Sequence, residues 1–119
     1  MKRLLGLDML LLTTVGRKTG QKRYTPLLFK KIEGSFHCAG SFGGSDKPPH
    51  WYSNILSNPS VEILVEGRTF QAQAHILEGN AKADAWNSLI DLYPNFQKYQ
   101  NRTDRVIPVV KFEGKSKCD

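Results

Sequence analysis

The feature that most constrains this chain is the segment from Val61 to Ile76. Val61, Ile63 and Val65 recur at every second position, Glu66-Gly67 follows, and Phe70, Ala72, Ala74 and Ile76 recur at every second position on the return. Period-two alternation on both sides of a two-residue turn is the pattern of an antiparallel hairpin with one buried face. A lone hairpin is not stable in water, so the rest of the chain has to extend the sheet. It offers strands in short pieces. Leu10 to Val15 ends in the β-branched Thr13-Thr14-Val15 and reads as a buried strand. Tyr24 to Ile32 resumes strand character with Pro26 near its start, Glu33-Gly34-Ser35 turns the chain, and Phe36 to Ser41 returns. Val106 to Phe112 is the last strand, and its Pro108 predicts an edge position or a bulge.

Two segments carry helical spacing instead. From His50 to Ser57, Trp51 pairs with Ile55 and Tyr52 with Leu56, prolines precede the first turn, and Asn58-Pro59 ends the run. Asn80 is the expected N-cap of a second helix, whose apolar stripe is Ala85, Trp86, Leu89, Ile90 and Tyr93 and which Pro94 stops. About six mainly antiparallel strands with two or three helices predict an α+β fold whose sheet curls into a small barrel. At 119 residues there is room for one core, so residues 1–119 are expected to form a single domain with a polar tail from about 114 to 119.

Several classes are set aside. The longest apolar run, Met9 to Leu12, falls far short of the roughly 20 residues of a membrane span. Lys2 and Arg3 before leucines imitate a signal peptide, but Gly6 and Asp8 interrupt it, so a cytoplasmic protein without an integral membrane segment is expected. Cys38 and Cys118 are too few for a disulfide framework. His37, His50 and His75 lie far apart, and His37 and Cys38 point to opposite faces of one strand, so no metal site is expected.

Charge is concentrated. The formal net charge is +6, yet residues 1–31 hold Lys2, Arg3, Arg17, Lys18, Lys22, Arg23, Lys30 and Lys31 against Asp8 alone, and the remainder is slightly acidic. Within that stretch Gly16-Arg17-Lys18-Thr19-Gly20-Gln21 forms a loop after a buried strand, with Lys22 and Arg23 beyond it. Cations, a Thr19 hydroxyl and backbone N–H groups left accessible by glycine suit a phosphate or carboxylate. The loop is not a Walker motif, because Lys18-Thr19 precede the second glycine and a strand follows. No G-x-G-x-x-G is present to support a dinucleotide fold. A second signal is aromatic: Tyr93, Phe96 and Tyr99 recur every third residue, either as a shared wall for a flat ligand or as core residues closing the barrel. Trp51-Tyr52 carries the same two readings.

With these residues laid out, the chain resembles the deazaflavin-dependent nitroreductase family. The matching segments are Leu10 to Gln21, Thr25 to Leu28, Ser41 with Gly43-Gly44, Trp51-Tyr52 with Asn54, Asn58-Pro59, Tyr93-Pro94, and Thr103 to Pro108, in order across nearly the whole chain. The resemblance implies a split β-barrel of the FMN-binding split-barrel type. It also implies the cofactor coenzyme F420, an 8-hydroxy-5-deazaflavin, and hydride transfer to a nitroaromatic, a quinone or an activated C=C bond. It places the cofactor's phosphate and acidic tail near Arg17, Lys18 and Arg23, with Thr19 in the same loop. Ser41, Gly43 and Gly44 would approach the phosphate or the ring edge, Trp51 would pack beside the cofactor, and Tyr93, Phe96 and Tyr99 would face the substrate. Tyr93, Tyr99 and Ser41 are the implied catalytic groups.

The sequence departs from the family at two positions. Phe42 stands where a lysine is usual, and Phe96 where a tyrosine is frequent. The chain also begins almost at its first strand, without the N-terminal helix of many members. An alternative follows from the two phenylalanines, a non-catalytic protein binding FMN, a fatty acid or another lipid on the same fold. A nucleic-acid partner is not expected, because the basic residues gather at one glycine-bounded loop. Homodimerisation is expected by analogy with other split barrels.

Overall fold

The computed structural model describes residues 3–4, 7–41 and 47–114. Phe42, Gly43, Gly44, Cys118 and the tail beyond Gly114 lie outside the described residues. In order along the chain come β1 (Arg3–Leu4), β2 (Leu7–Val15), β3 (Lys22–Leu28), β4 (Lys30–Ile32), β5 (Ser35–Ala39), α1 (His50–Ser57), β6 (Ser60–Val65), β7 (Arg68–Ile76), α2 (Gly79–Leu92), α3 (Asn95–Asn101) and β8 (Val109–Gly114). Every strand pairing is antiparallel. β1 adds to the start of β2, and the sheet then runs β3-β2-β6-β7-β8-β5-β4.

That order requires curvature. β3 and β4 stand at opposite ends of the strand path, yet Phe29 alone separates them in sequence. Consecutive Cα atoms are about 3.8 Å apart, so the two ends of the sheet must meet at this corner, and the sheet curls into a half-barrel. The predicted single strand from Tyr24 to Ile32 is thus two strands. Phe29 is buried at the corner, its N–H donates to the Asp8 carbonyl, and its ring meets Phe36 edge-on at 5.2 Å.

The hairpin legible in the sequence forms with Val61 opposite Ala72 and Ile63 opposite Phe70. Glu66 and Gly67 both adopt positive φ, 54° and 74°, the backbone of a two-residue turn that follows the strand twist. Leu10, Leu12, Val61, Ile63, Ala72, Cys38, Val110 and Phe112 point inward and form the barrel core, which Trp51 and Ile55 of α1 cap. A second core lies on the outer face, where Ala39, Ile107 and Val109 meet Ala85 and Leu89 of α2 and Phe96 of α3. Strand β5 is therefore buried along its whole length, with Phe36 and Cys38 facing inward and His37 and Ala39 outward.

Three expectations change or narrow. The second helix begins at Gly79, and Glu78, not Asn80, is its N-cap. The expected two or three helices become three, because Asn95–Asn101, which carries Phe96 and Tyr99, forms a helix of its own. The last strand starts at Val109 and sits between β7 and β5, so Pro108 is neither an edge nor a bulge residue. It lies just outside the ladder, where its missing N–H costs nothing and its carbonyl accepts from Gly40.

Candidate functional site

The predicted anion loop is the turn of the β2–β3 hairpin. The Gly16 N–H donates to the Gln21 carbonyl at 2.7 Å, the Gly20 N–H to the Gly16 carbonyl at 2.8 Å, and the Gln21 N–H to the Thr19 hydroxyl oxygen at 3.2 Å. Both glycine N–H groups therefore close the loop on itself. Side chains, rather than those glycine amides, carry the charge that a ligand would meet.

A cleft of about 630 Å³ opens beside this turn, lined by Gly16, Arg17, Lys18, Thr19, Lys22, Arg23, Tyr24, Thr25, His50, Trp51 and Asn54. Four of these residues are Lys or Arg, and the lining holds no carboxylate. The first turn of α1 supplies His50 and Trp51, so the positive end of that helix's dipole faces the same space. A second cleft of about 520 Å³, between α2 and the outer sheet face, has Glu33, Asp84 and Glu113 against Lys111. Clefts of similar size thus carry opposite charge, and only the first suits an anion.

Asn54 organises the basic cleft, and sequence reasoning gave it no role of its own. It is buried in the middle of α1. Its Oδ1 accepts from the Arg17 backbone N–H at 3.2 Å and from the Arg17 guanidinium at 2.9 Å, while its Nδ2 donates to the Thr14 hydroxyl at 3.3 Å. One side chain thereby ties the turn, β2 and α1 together. Trp51 has a double role: it is 4% exposed and packs 6.1 Å from the Phe112 ring in the core, yet it also lines the cleft.

Ser41 follows β5 at the rim between α1 and the chain leading into β8. The neighbouring Gly40 is pinned there: its carbonyl accepts from Arg105 at 3.2 Å, and a Cβ on it would stand 2.7 Å from Pro108 Cγ. The Ser41 hydroxyl oxygen is buried without a hydrogen-bond partner among the described residues. An orphaned buried hydroxyl is costly unless a bound group satisfies it, so this atom fits a ligand.

The aromatic triplet is brought together. The Tyr93 and Phe96 ring centroids are 5.0 Å apart at 77°, Phe96 and Tyr99 6.4 Å, and Tyr93 and Tyr99 6.3 Å. Phe96 is the buried member, set among Ala85, Leu89, Ile107 and Val109, whereas Tyr93 and Tyr99 pack partly exposed around it. Phe96 thus takes the core reading, and Tyr93 and Tyr99 stand at the edge of that core. Tyr93 and Tyr99 bring their hydroxyl oxygens within 3.3 Å. Gln100 fastens this wall to the segment before β8, accepting from the Ile107 N–H and donating to the Arg105 carbonyl, both at 2.8 Å.

Other candidates are inert or absent. Cys38 is buried, and desolvation pushes its thiol far above the ordinary range. Among the described residues no three His, Cys, Asp or Glu side chains could hold a metal, and no helix is long and apolar enough to cross a membrane.

The F420H(2)-dependent quinone reductase family matches residues 1–113. A Mycobacterium tuberculosis H37Rv protein named F420H(2)-dependent quinone reductase Rv1261c is 36% identical over 104 residues, covering 85% of this chain and 70% of its own. A solved structure described as F420-H2 dependent reductase FDR-A superposes with a TM-score of 0.82 at 36% identity, covering 89% of this chain and 94% of that one. Another, described as a domain-swapped dimer, has the same TM-score and identity and covers 89% and 80%.

Proposed function

The chain belongs to the F420H(2)-dependent quinone reductase family, and from that premise we propose that it is a deazaflavin-dependent oxidoreductase that passes a hydride from reduced coenzyme F420 to a quinone. Nitroaromatics and activated C=C compounds are further acceptors on this reading. The observation that carries it is the carboxylate-free basic cleft with Arg17 fixed by buried Asn54. Relatives named for F420H(2) support the deazaflavin, and nothing in their names supports FMN.

When bound, reduced coenzyme F420 supplies the hydride. The chain's own residues do the rest. Arg17, Lys18 and Arg23 hold the phosphate and acidic tail through charge-assisted hydrogen bonds, and the Thr19 hydroxyl, which already accepts from Gln21, still has its proton to give. Ser41 gives its orphaned hydroxyl a partner on the cofactor, with Gly43 and Gly44 following after Phe42 in sequence. Trp51, fixed by the barrel core, offers an edge that cannot swing away. Tyr93 and Tyr99 orient the acceptor over the Phe96 floor and provide the proton that must accompany hydride for a quinone to become a hydroquinone.

Phe96 is packed into the outer core, so its missing hydroxyl does not turn the wall into a lipid pocket. A homodimer also belongs to this reading, supported by the relative described as a domain-swapped dimer. Light scattering that returns the mass of a single chain would remove it. The primary test is titration of the purified protein with oxidised coenzyme F420 and with FMN, followed by fluorescence at two salt concentrations. Salt-sensitive binding of the deazaflavin over FMN, and oxidation of the reduced cofactor only when a quinone is added, is the expected result. Tighter binding of FMN, or no binding of the deazaflavin, overturns the reading.

A further inference from the structure

The Tyr93 and Tyr99 hydroxyls are not equivalent. Tyr93 is the C-cap of α2, its N–H donating to the Leu89 carbonyl at 2.8 Å, and Pro94 then leads into α3. Asn95, the first residue of α3, donates from Nδ2 to the Tyr93 hydroxyl oxygen at 3.1 Å. The Tyr99 hydroxyl lies 3.3 Å from the same atom. A phenol oxygen has two lone pairs and one hydrogen to give. An amide nitrogen only donates, so Asn95 fills one lone pair. When Tyr99 donates into the other, the Tyr93 hydrogen has no acceptor within the cluster and is directed out of it. Packing holds the two rings in place, since Phe96 meets the Tyr93 ring edge-on at 5.0 Å and the Arg102 guanidinium lies 5.7 Å over the Tyr99 ring.

We infer that Asn95 is a positioning residue for the reduction, aiming the Tyr93 O–H at the acceptor and making Tyr93 the proton donor and Tyr99 the inner support. The inference rests on the reductase reading above. The acceptor gains a hydride from the reduced deazaflavin and a proton from Tyr93: the Tyr93 O–H bond breaks, a new O–H bond forms on the quinone, and the phenolate regains its proton from water. Both donors stay aimed at the phenolate in the interval. The hydrogen bonds from Tyr99 and then Asn95 hold Tyr93 below the ordinary phenol value of 10, whereas the one to Tyr93 and then burial hold Tyr99 above it.

The test uses the full chain, first without cofactor. Phenolate absorbance is titrated in wild type, Asn95→Ala and Asn95→Asp, each in the presence and absence of Tyr93→Phe so that the difference isolates Tyr93. Asn95→Ala should move the Tyr93 midpoint upward. It should lower kcat for quinone reduction about three- to tenfold, with KM for cofactor and quinone changed less than about twofold. Asn95→Asp decides the matter. Aspartate in the first turn of α3 would sit at the positive end of the helix and suit it as well as asparagine does, so it rescues a purely structural role, but it cannot donate and its charge opposes a phenolate. It should therefore raise the midpoint and lower kcat further than alanine does. An unmoved midpoint in Asn95→Ala, a kcat within twofold of wild type, or rescue by Asn95→Asp overturns the inference. A wild-type chain that reduces no quinone while the midpoint still shifts overturns the reductase reading and the catalytic half of the inference with it, leaving the hydrogen bond itself established.

Discussion

In the cleft beside β2 and β3, cationic side chains stand in solvent and a single buried amide, Asn54, fixes one of them. On α2 and α3 the order is reversed, for a buried ring, Phe96, is the foundation and the polar groups are two hydroxyls at its edge. On the proposed reading the first region works by long-range charge and costs the fold little. On the same reading the second works by contact, on a ring that is also part of the core. Changes to the cleft should therefore alter binding without unfolding the protein, and changes to the wall should do the opposite.

The largest effect is expected at the wall. Phe96→Ala removes a ring from a core that also holds Leu89, Ile107 and Val109, and such truncations cost about 3–5 kcal/mol. Urea unfolding should show that loss, while the molecules that remain folded bind coenzyme F420 as wild type does. A cost below about 1 kcal/mol would break the comparison. Replacing Arg17, Lys18 and Arg23 together by alanine is the mirror experiment. All three are exposed and the Arg17 backbone N–H still donates to Asn54 in the variant, so stability should fall by less than about 1 kcal/mol, while affinity for coenzyme F420 at low salt should fall on the order of 100-fold. Undiminished binding would remove these residues from the site.

The same contrast governs what could be read from the sequence. The β6–β7 hairpin was legible with its turn residues, because alternation and a Glu-Gly pair are local signals. The basic loop was legible for a similar reason, since its charge and its glycines are contiguous. Asn54 was not, because nothing near an asparagine inside a helix announces that its partner is Arg17, 37 positions earlier. Helix α3 escaped recognition because Asn95–Asn101 is short and mostly polar, and only docking against α2 reveals which of its rings is core. The break at Phe29 was hidden because both flanking stretches have strand character, and the corner is imposed by the closing of the sheet. Strand β8 shows a related effect: Val106 and Ile107 continue its apolar pattern, but Pro108 cannot donate to a ladder and the strand starts after it.

Asn54→Ala lies between the two regimes and sharpens the boundary. It removes the acceptor of two Arg17 hydrogen bonds and the donor to the buried Thr14 hydroxyl. A loss of about 1–3 kcal/mol in urea unfolding is expected. Because Arg17 keeps its charge and loses only its anchor, cofactor affinity should fall less than in the triple alanine variant, by a few-fold. Affinity lost as completely as in the triple variant would mean that the loop's conformation, and not its charge, holds the ligand.

The smallest effect concerns pH, and it should arise on β5 beside α2, away from the basic cleft. His37 lies on the outer face of β5, 5% exposed, with Nδ1 donating to the Ser35 carbonyl at 3.2 Å. Burial lowers its pKa below the ordinary 6.5, and the neighbouring charge of Lys111 acts in the same direction. A histidine that resists protonation only in the folded state makes the unfolded chain the better proton acceptor. Its contribution to stability is therefore complete above pH 6.5 and is lost as the pH falls from there toward the folded-state value. Urea midpoints measured from pH 8 down to pH 5 should decline over the lower part of that range. In His37→Gln, which keeps a polar side chain but does not titrate, the part of the decline due to this residue should disappear. The triple alanine variant of the cleft should retain that part, since it leaves His37 and its surroundings untouched. A decline that persists unchanged in His37→Gln would assign the acid sensitivity to another group.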